Sequence, residues 1–281
     1  MRQVSHSEIT TYLDCQKKWE LQYIKGLKVD NNHFRFGSMG HKVLETRQIP
    51  DETLYPELKE WSGILSWNDY FTAIFEELDE RMAEYELIEK ECFVENDTMK
   101  GVIDAVWRNK NTGRLLITDY KFSNTDKGNE DILLDEQMYI YAVMYAQKKG
   151  LFLTDIDIGY ISIPKTTLDK PRLLKNGQLS KDKAQRTTYK KYVETIRELG
   201  LKIEDYEDFL SEISGRTLLT LAISPINHDM AVRIMTNIDN TIKDMDKGYV
   251  LEKCTFMCKK CDYLQYCKYN KEIKKEEEEM F

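Results

Sequence analysis

The stretch between residues 99 and 121 uses one device twice. The runs from Met99 to Arg108 and from Arg114 to Tyr120 are apolar and rich in strand-forming residues. Each is interrupted by one aspartate, Asp104 or Asp119, and a Lys-Asn-Thr-Gly turn joins them. An acid inside an apolar strand is costly to bury unless an opposite charge meets it. The period of two in a strand puts Asp119 and Lys121 on one face. Hairpin pairing of the two runs would bring Asp104 toward Asp119, and two such carboxylates repel unless a divalent cation lies between them.

The surrounding pattern gives this hairpin a setting. Ser5-x-x-Glu8 reads as a capping box opening a helix that runs to about residue 25, with further helices over 39–48 and 68–87. Strands are expected over 91–94, 99–108 and 114–120, then a helix over 130–149 and a strand over 157–163. Strands followed by a crossover helix and another strand predict a mixed α/β sheet with helices on its flanks. Residues 164–177 hold two prolines and a Lys-Asn-Gly turn, and 188–199 and 204–213 look helical, so 164–215 reads as an insertion. A strand over 216–223 and a helix over 227–247 return to the main body, and a charged tail begins at 271. All of this fits one domain over 1–281.

Composition narrows the function. The net charge of −8 speaks against a surface basic all over. Between Lys165 and Lys191, however, nine Lys/Arg stand against two Asp, a local balance of +7. That run suits phosphate contact, and a solvated loop explains it equally well. No stretch approaches the roughly 18 apolar residues of a membrane span, and the first residues lack a signal-peptide pattern. The chain is expected in the cytoplasm, of a host cell if phage-encoded, with no membrane partner.

Oxygen ligands of this kind suit Mg²⁺ or Mn²⁺, and with a nearby ammonium they suit phosphodiester cleavage. A lone D-x-K pair is as much at home on the rim of any hairpin. Two more elements join it: His41 and Glu45 share a helix face at i, i+4, and Gln137-x-x-x-Tyr141 does the same on the following helix. In order, His41, Gly101-x-x-Asp104, Asp119-Tyr120-Lys121 and Gln137-x-x-x-Tyr141 resemble the RecB-like branch of the PD-(D/E)XK nucleases. The resemblance covers residues 37–141 and implies a restriction-endonuclease-like fold. It implies that His41, Asp104, Asp119 and the Tyr120 carbonyl bind the catalytic metal. Lys121 would act on the water, and Gln137 and Tyr141, with Glu45 nearby, would support the site or hold DNA.

Six cysteines complete the pattern. Cys258-x2-Cys261-x5-Cys267 supplies three thiolates in a short stretch, suiting structural zinc or an iron–sulfur cluster. Cys254 would complete a local zinc site, and Cys92 reads as a core residue. Ser7, Tyr12, Cys15 and Trp19 resemble the N-terminal signature of the iron–sulfur branch, the AddB-type and CRISPR-associated RecB-like exonucleases. That likeness implies a [4Fe–4S] cluster on Cys15, Cys258, Cys261 and Cys267, in a lobe joining the two ends of the chain. The function expected is a metal-dependent exonuclease acting on single-stranded DNA ends in recombination, repair or phage DNA processing, beside a helicase, recombinase or integrase partner. The alternatives are a DNA-end-binding scaffold without catalysis and a trimming subunit of a larger complex.

Overall fold

The computed structural model describes residues 2–267 apart from 30, 65, 124–127, 166–169, 249 and 251–255. Cys254 and the charged tail from 271 lie outside the described residues.

The chain opens with α1 (His6–Asp14), α2 (Gln16–Trp19) and a π turn (Glu20–Ile24), where one continuous helix was expected. The break falls at Cys15, whose backbone is extended and whose Sγ accepts the Lys18 amide at 3.4 Å. Ser5 caps α1 as expected, accepting from the Glu8 amide. Glu8 does not reach back to complete the box. It is 3% exposed and is held by Arg2 and by Trp19 Nε1, the latter at 2.9 Å.

Three helices follow: α3 (Asn32–Thr46), α4 (Pro56–Ser62) and α5 (Trp67–Arg81). Then come β1 (Tyr85–Glu95), β2 (Lys100–Asn109) and β3 (Leu115–Phe122). The expected long helix after β3 is divided into α6 (Asn129–Leu133) and α7 (Glu136–Lys149), because Asp135 restarts it by accepting the Met138 amide. β4 (Ile156–Ile163), α8 (Tyr189–Glu198), α9 (Glu207–Glu212), β5 (Thr220–Pro225) and α10 (His228–Met245) complete the order.

The sheet runs β1-β2-β3-β4-β5, antiparallel except where β3 and β4 pair in parallel across α6 and α7. This is the mixed α/β arrangement expected from the sequence. One face carries a core in which Ile103, Ile117, Ile158 and Tyr160 meet α1, α7 and α10. The other carries Trp107, Leu116, Tyr120 and Phe122 against α3, α4 and α5. A third cluster, including Leu179, Tyr192, Tyr206 and Phe209, belongs to the insertion alone. Several of its basic side chains are engaged locally: Lys183 with Glu212 at 2.9 Å, Lys191 with Glu194 at 3.6 Å, and Lys181 with the Asp205 carbonyl at 2.6 Å. Among the described residues no helix is long and apolar enough to cross a membrane.

Candidate active site

The ladder between β2 and β3 runs from Arg108–Leu115 to Ala105–Thr118. The next positions in that register are Asp104 and Asp119, and there the pairing stops. The Asp104 carboxylate takes the Tyr120 amide, N–H to Oδ2 at 2.6 Å, in place of a backbone acceptor. The strands part with one carboxylate on each side of the fork.

Helices bring the rest from both faces. On one side α3 presents His41, whose Nδ1 lies 3.1 Å from Asp104 Oδ1. It can come this close because residue 40 is glycine; a Cβ there would collide with the Phe122 ring. The pleat sends Asp119 and Lys121 to the other side, toward α7. Lys121 Nζ lies 2.8 Å from Asp119 Oδ2. Gln137 bridges the pair, its Nε2 donating to Asp119 Oδ1 and its Oε1 accepting from Lys121, both at 3.2 Å. The same Nε2 is 3.0 Å from Tyr141 Oη. Tyr141 packs over Gly101, where a Cβ would stand 2.5 Å from its ring, so the glycine of the G-x-x-D motif admits α7 to β2.

Three neighbours were not singled out from the sequence. Glu91 falls between the pairs Lys90–Ala105 and Cys92–Ile103, hence opposite Asp104. Its φ of 45° is left-handed, a costly conformation for a glutamate. The turn lets Lys90 reach the Glu45 carbonyl at 2.9 Å while Cys92 enters the α7 core. His41, Glu91 and Asp104 each offer a ligand atom within 4.8 Å of the others. Tyr160, beside Asp119 in the β3–β4 register, places its ring 5.4 Å from Lys121 Nζ, and its hydroxyl is held in the neutral form chiefly by burial, with Asp135 adding to this. His6, at the start of α1, is close enough to feel both Lys121 and Asp135.

The charges explain one another. Burial lifts the Asp119 pKa to about 6, with Lys121 pulling it back and Asp104 pushing it further up. Burial also raises Glu91, helped by the Asp104 and Glu45 carboxylates. For Lys121 burial opposes the charged form, but Asp119 outweighs it and the pKa is raised. His41 follows the same course, burial being overcome by its bond to Asp104. Burial is the main cause of both upward shifts, and the formal count, three carboxylates (Glu91, Asp104, Asp119) against Lys121 and His41, still leaves negative charge over. An oxygen-rich set with one imidazole and surplus negative charge fits a divalent cation such as Mg²⁺ or Mn²⁺.

The sequence-derived residues thus divide. His41, Asp104, Asp119, Tyr120, Lys121, Gln137 and Tyr141 converge. Glu45 pairs with Lys42 at 2.6 Å and stands outside the ligand group. Away from this site, Cys15 and Cys258 both bear electrostatically on Cys261, whose thiol is raised chiefly by burial. Tyr263 Oη donates to the Leu27 carbonyl at 3.2 Å beside them. Among the described residues their sulfurs do not close to common ligating distance as the His41 group does. Cys92 is 4% exposed in the core.

A family profile described as the PD-(D/E)XK nuclease superfamily matches residues 3–268. A crystal structure from Eubacterium rectale, provisionally described as an exonuclease, is similar at 13% identity and a TM-score of 0.34, covering 91% of each chain. The structure of SSO0001 is similar at 15% identity and a TM-score of 0.30, covering 92% of this chain and 96% of that one. None of the curated proteins compared matches the chain.

Proposed function

The chain belongs to the PD-(D/E)XK nuclease superfamily, and from that premise we propose that it is a divalent-metal-dependent DNA exonuclease working from single-stranded ends. The observation that carries the reading is the fork at Asp104 and Asp119, with Lys121 held on Asp119. His41, Glu91, Asp104 and Asp119, with the Tyr120 carbonyl, would hold the cation. A cation there supplies Lewis acidity at the scissile phosphate. Lys121 donates hydrogen bonds to the attacking water and to the phosphate as its negative charge grows. Gln137 fixes the Lys121 ammonium and the Asp119 carboxylate relative to each other, and Tyr141 fixes Gln137. The task would lie in recombination, repair or phage DNA processing, beside a helicase, recombinase or integrase.

For the ends of the chain the reading is a [4Fe–4S] cluster on Cys15, Cys258, Cys261 and Cys267. It is supported by the approach of Cys15 and Cys258 to Cys261 across the whole length of the sequence. Zinc on Cys254, Cys258, Cys261 and Cys267 would leave Cys15 unused.

The test is anaerobic purification and assay of end-labelled single- and double-stranded DNA with Mn²⁺ or Mg²⁺, with the visible spectrum of the same sample. Progressive shortening from an end is expected. Lys121→Ala should slow it by at least about 10²-fold, the usual cost of removing a donor aimed at developing charge. DNA left intact, or cut equally well by Lys121→Ala, overturns the reading. A colourless protein overturns the cluster.

A further inference from the structure

Beyond the acids, the exposed face of the β1–β2 hairpin continues with an apolar pair. In register, the position after Glu91 and Asp104 on this face is the cross-strand pair Phe93–Val102. The alternate residues Cys92, Val94 and Ile103 enter the core shared with α7. Phe93 and Val102 therefore face the other way, on the side of Glu91, Asp104 and His41. They are 46% and 40% exposed, and neither belongs to a core cluster. Solvent-facing strand positions ordinarily carry polar residues, so an aromatic and a β-branched side chain paired here call for an occupant.

The next pair outward is Glu95–Lys100. Glu95 accepts from Gln3 Nε2 at 3.1 Å, while exposed Lys100 has no carboxylate partner among the described residues. The surface thus runs from acids that would hold a cation, through an apolar pair, to an unpaired cation. Two residues along a strand span about 7 Å. A phosphodiester at the acids would set its neighbouring base over Phe93 and the following phosphate toward Lys100.

Resting on the nuclease reading, we propose that Phe93 and Val102 form a stacking platform for the unpaired nucleobase beside the scissile phosphate, with Lys100 receiving the next phosphate. A platform of this kind takes any base, because every base has a π-face. It refuses a base still engaged in a duplex. It therefore places the preference for single strands in the β1–β2 hairpin and not in the insertion.

The experiment compares two end-labelled single strands, one intact and one abasic at the nucleotide beside the first bond cut. Wild-type protein should show KM about 5- to 150-fold higher on the abasic strand, the range of one base–aromatic stack. Phe93→Ala should treat both strands alike at unchanged kcat, and Phe93→Trp should restore the difference. Thermal unfolding should match wild type, since Phe93 is outside the core. A wild-type chain that cuts neither strand overturns the nuclease reading and takes the platform with it. A wild-type chain that cuts, with Phe93→Ala still penalised by the abasic position, overturns the platform alone. If Phe93→Ala retains the penalty and instead abolishes self-association in sedimentation, the face is a protein contact and the proposal fails.

Discussion

At the scale of residues, protonation of the site competes directly with metal. Asp119 titrates near pH 6 because burial and Asp104 raise it, and Glu91 is raised in the same direction. A carboxyl whose folded pKa exceeds its unfolded value binds its proton more tightly when folded. The metal-free site is therefore most comfortable at low pH and grows costlier as pH rises toward 6. Metal binding requires the carboxylates and displaces those protons. Titrating Mn²⁺ calorimetrically from pH 5 to 8 should show affinity falling by about tenfold for each pH unit below about 6. A flat profile would remove Asp119 from the metal site. Glu91→Gln should weaken Mn²⁺ binding by at least about tenfold while leaving the fold intact, since its side chain is exposed; unchanged affinity would restrict the ligands to His41, Asp104 and Asp119. Asp104, Asp119, Lys121 and Gln137 could be singled out in the sequence because of their joint occurrence and order, not because of any one spacing. Glu91 could not. In the run from Glu89 to Glu95 it looks like any solvent-facing acid of an alternating strand, and its left-handed backbone leaves no mark on the sequence.

Elements differ in how far local sequence decides them. β2, β3 and α7 were predictable because alternation, turn residues and apolar period agree with the fold each ends up in. The first residues of β1 were read as the end of a helix, since Ala83, Glu84, Glu86 and Leu87 are good helix formers. Pairing of Tyr85 with Asn109 and Leu87 with Trp107 decides otherwise. The early ending of α5 at Arg81 thus has a tertiary cause. Close approach of elements is equally hidden until the partners are known. Gly101 sits under the Tyr141 ring, and Tyr141 anchors Gln137. Gly101→Ala should push Tyr141 off β2 and loosen Gln137 from Asp119 and Lys121. We expect activity to fall roughly tenfold to a hundredfold, the range for a misplacement of about 1 Å, with a smaller change in thermal stability. Equal activity would show that α7 yields without moving Gln137.

At the scale of the whole molecule, segments far apart in sequence are tied together. Val4 continues the β2 side of the sheet, its amide donating to the Thr98 carbonyl at 2.9 Å and its carbonyl accepting from the Lys100 amide at 3.0 Å. Tyr12 Oη reaches Asp244 on α10 at 2.8 Å, and Tyr263 returns the C-terminal turns to Leu27. Val4 therefore lies against the start of β2, the strand that carries Asp104, while the turns around Tyr263 are tied to the segment after α2. A cluster holding Cys15 with Cys258, Cys261 and Cys267 would close nearly the entire chain into one loop. Loop closure on that scale constrains the unfolded chain by about 5 kcal/mol, before any bond energy is counted. Cys258→Ala should then do more than loosen the C-terminal turns: α1 and the Val4 pairing should lose their anchor, and the start of β2 with them. Limited proteolysis should accordingly cut within the first 30 or so residues as well as near the C-terminus, and nuclease activity should fall in step with the loss of visible absorbance. Cleavage confined to the C-terminal turns, with activity retained, would mean that the hydrogen bonds of Val4 and Tyr12 hold the ends without the cluster.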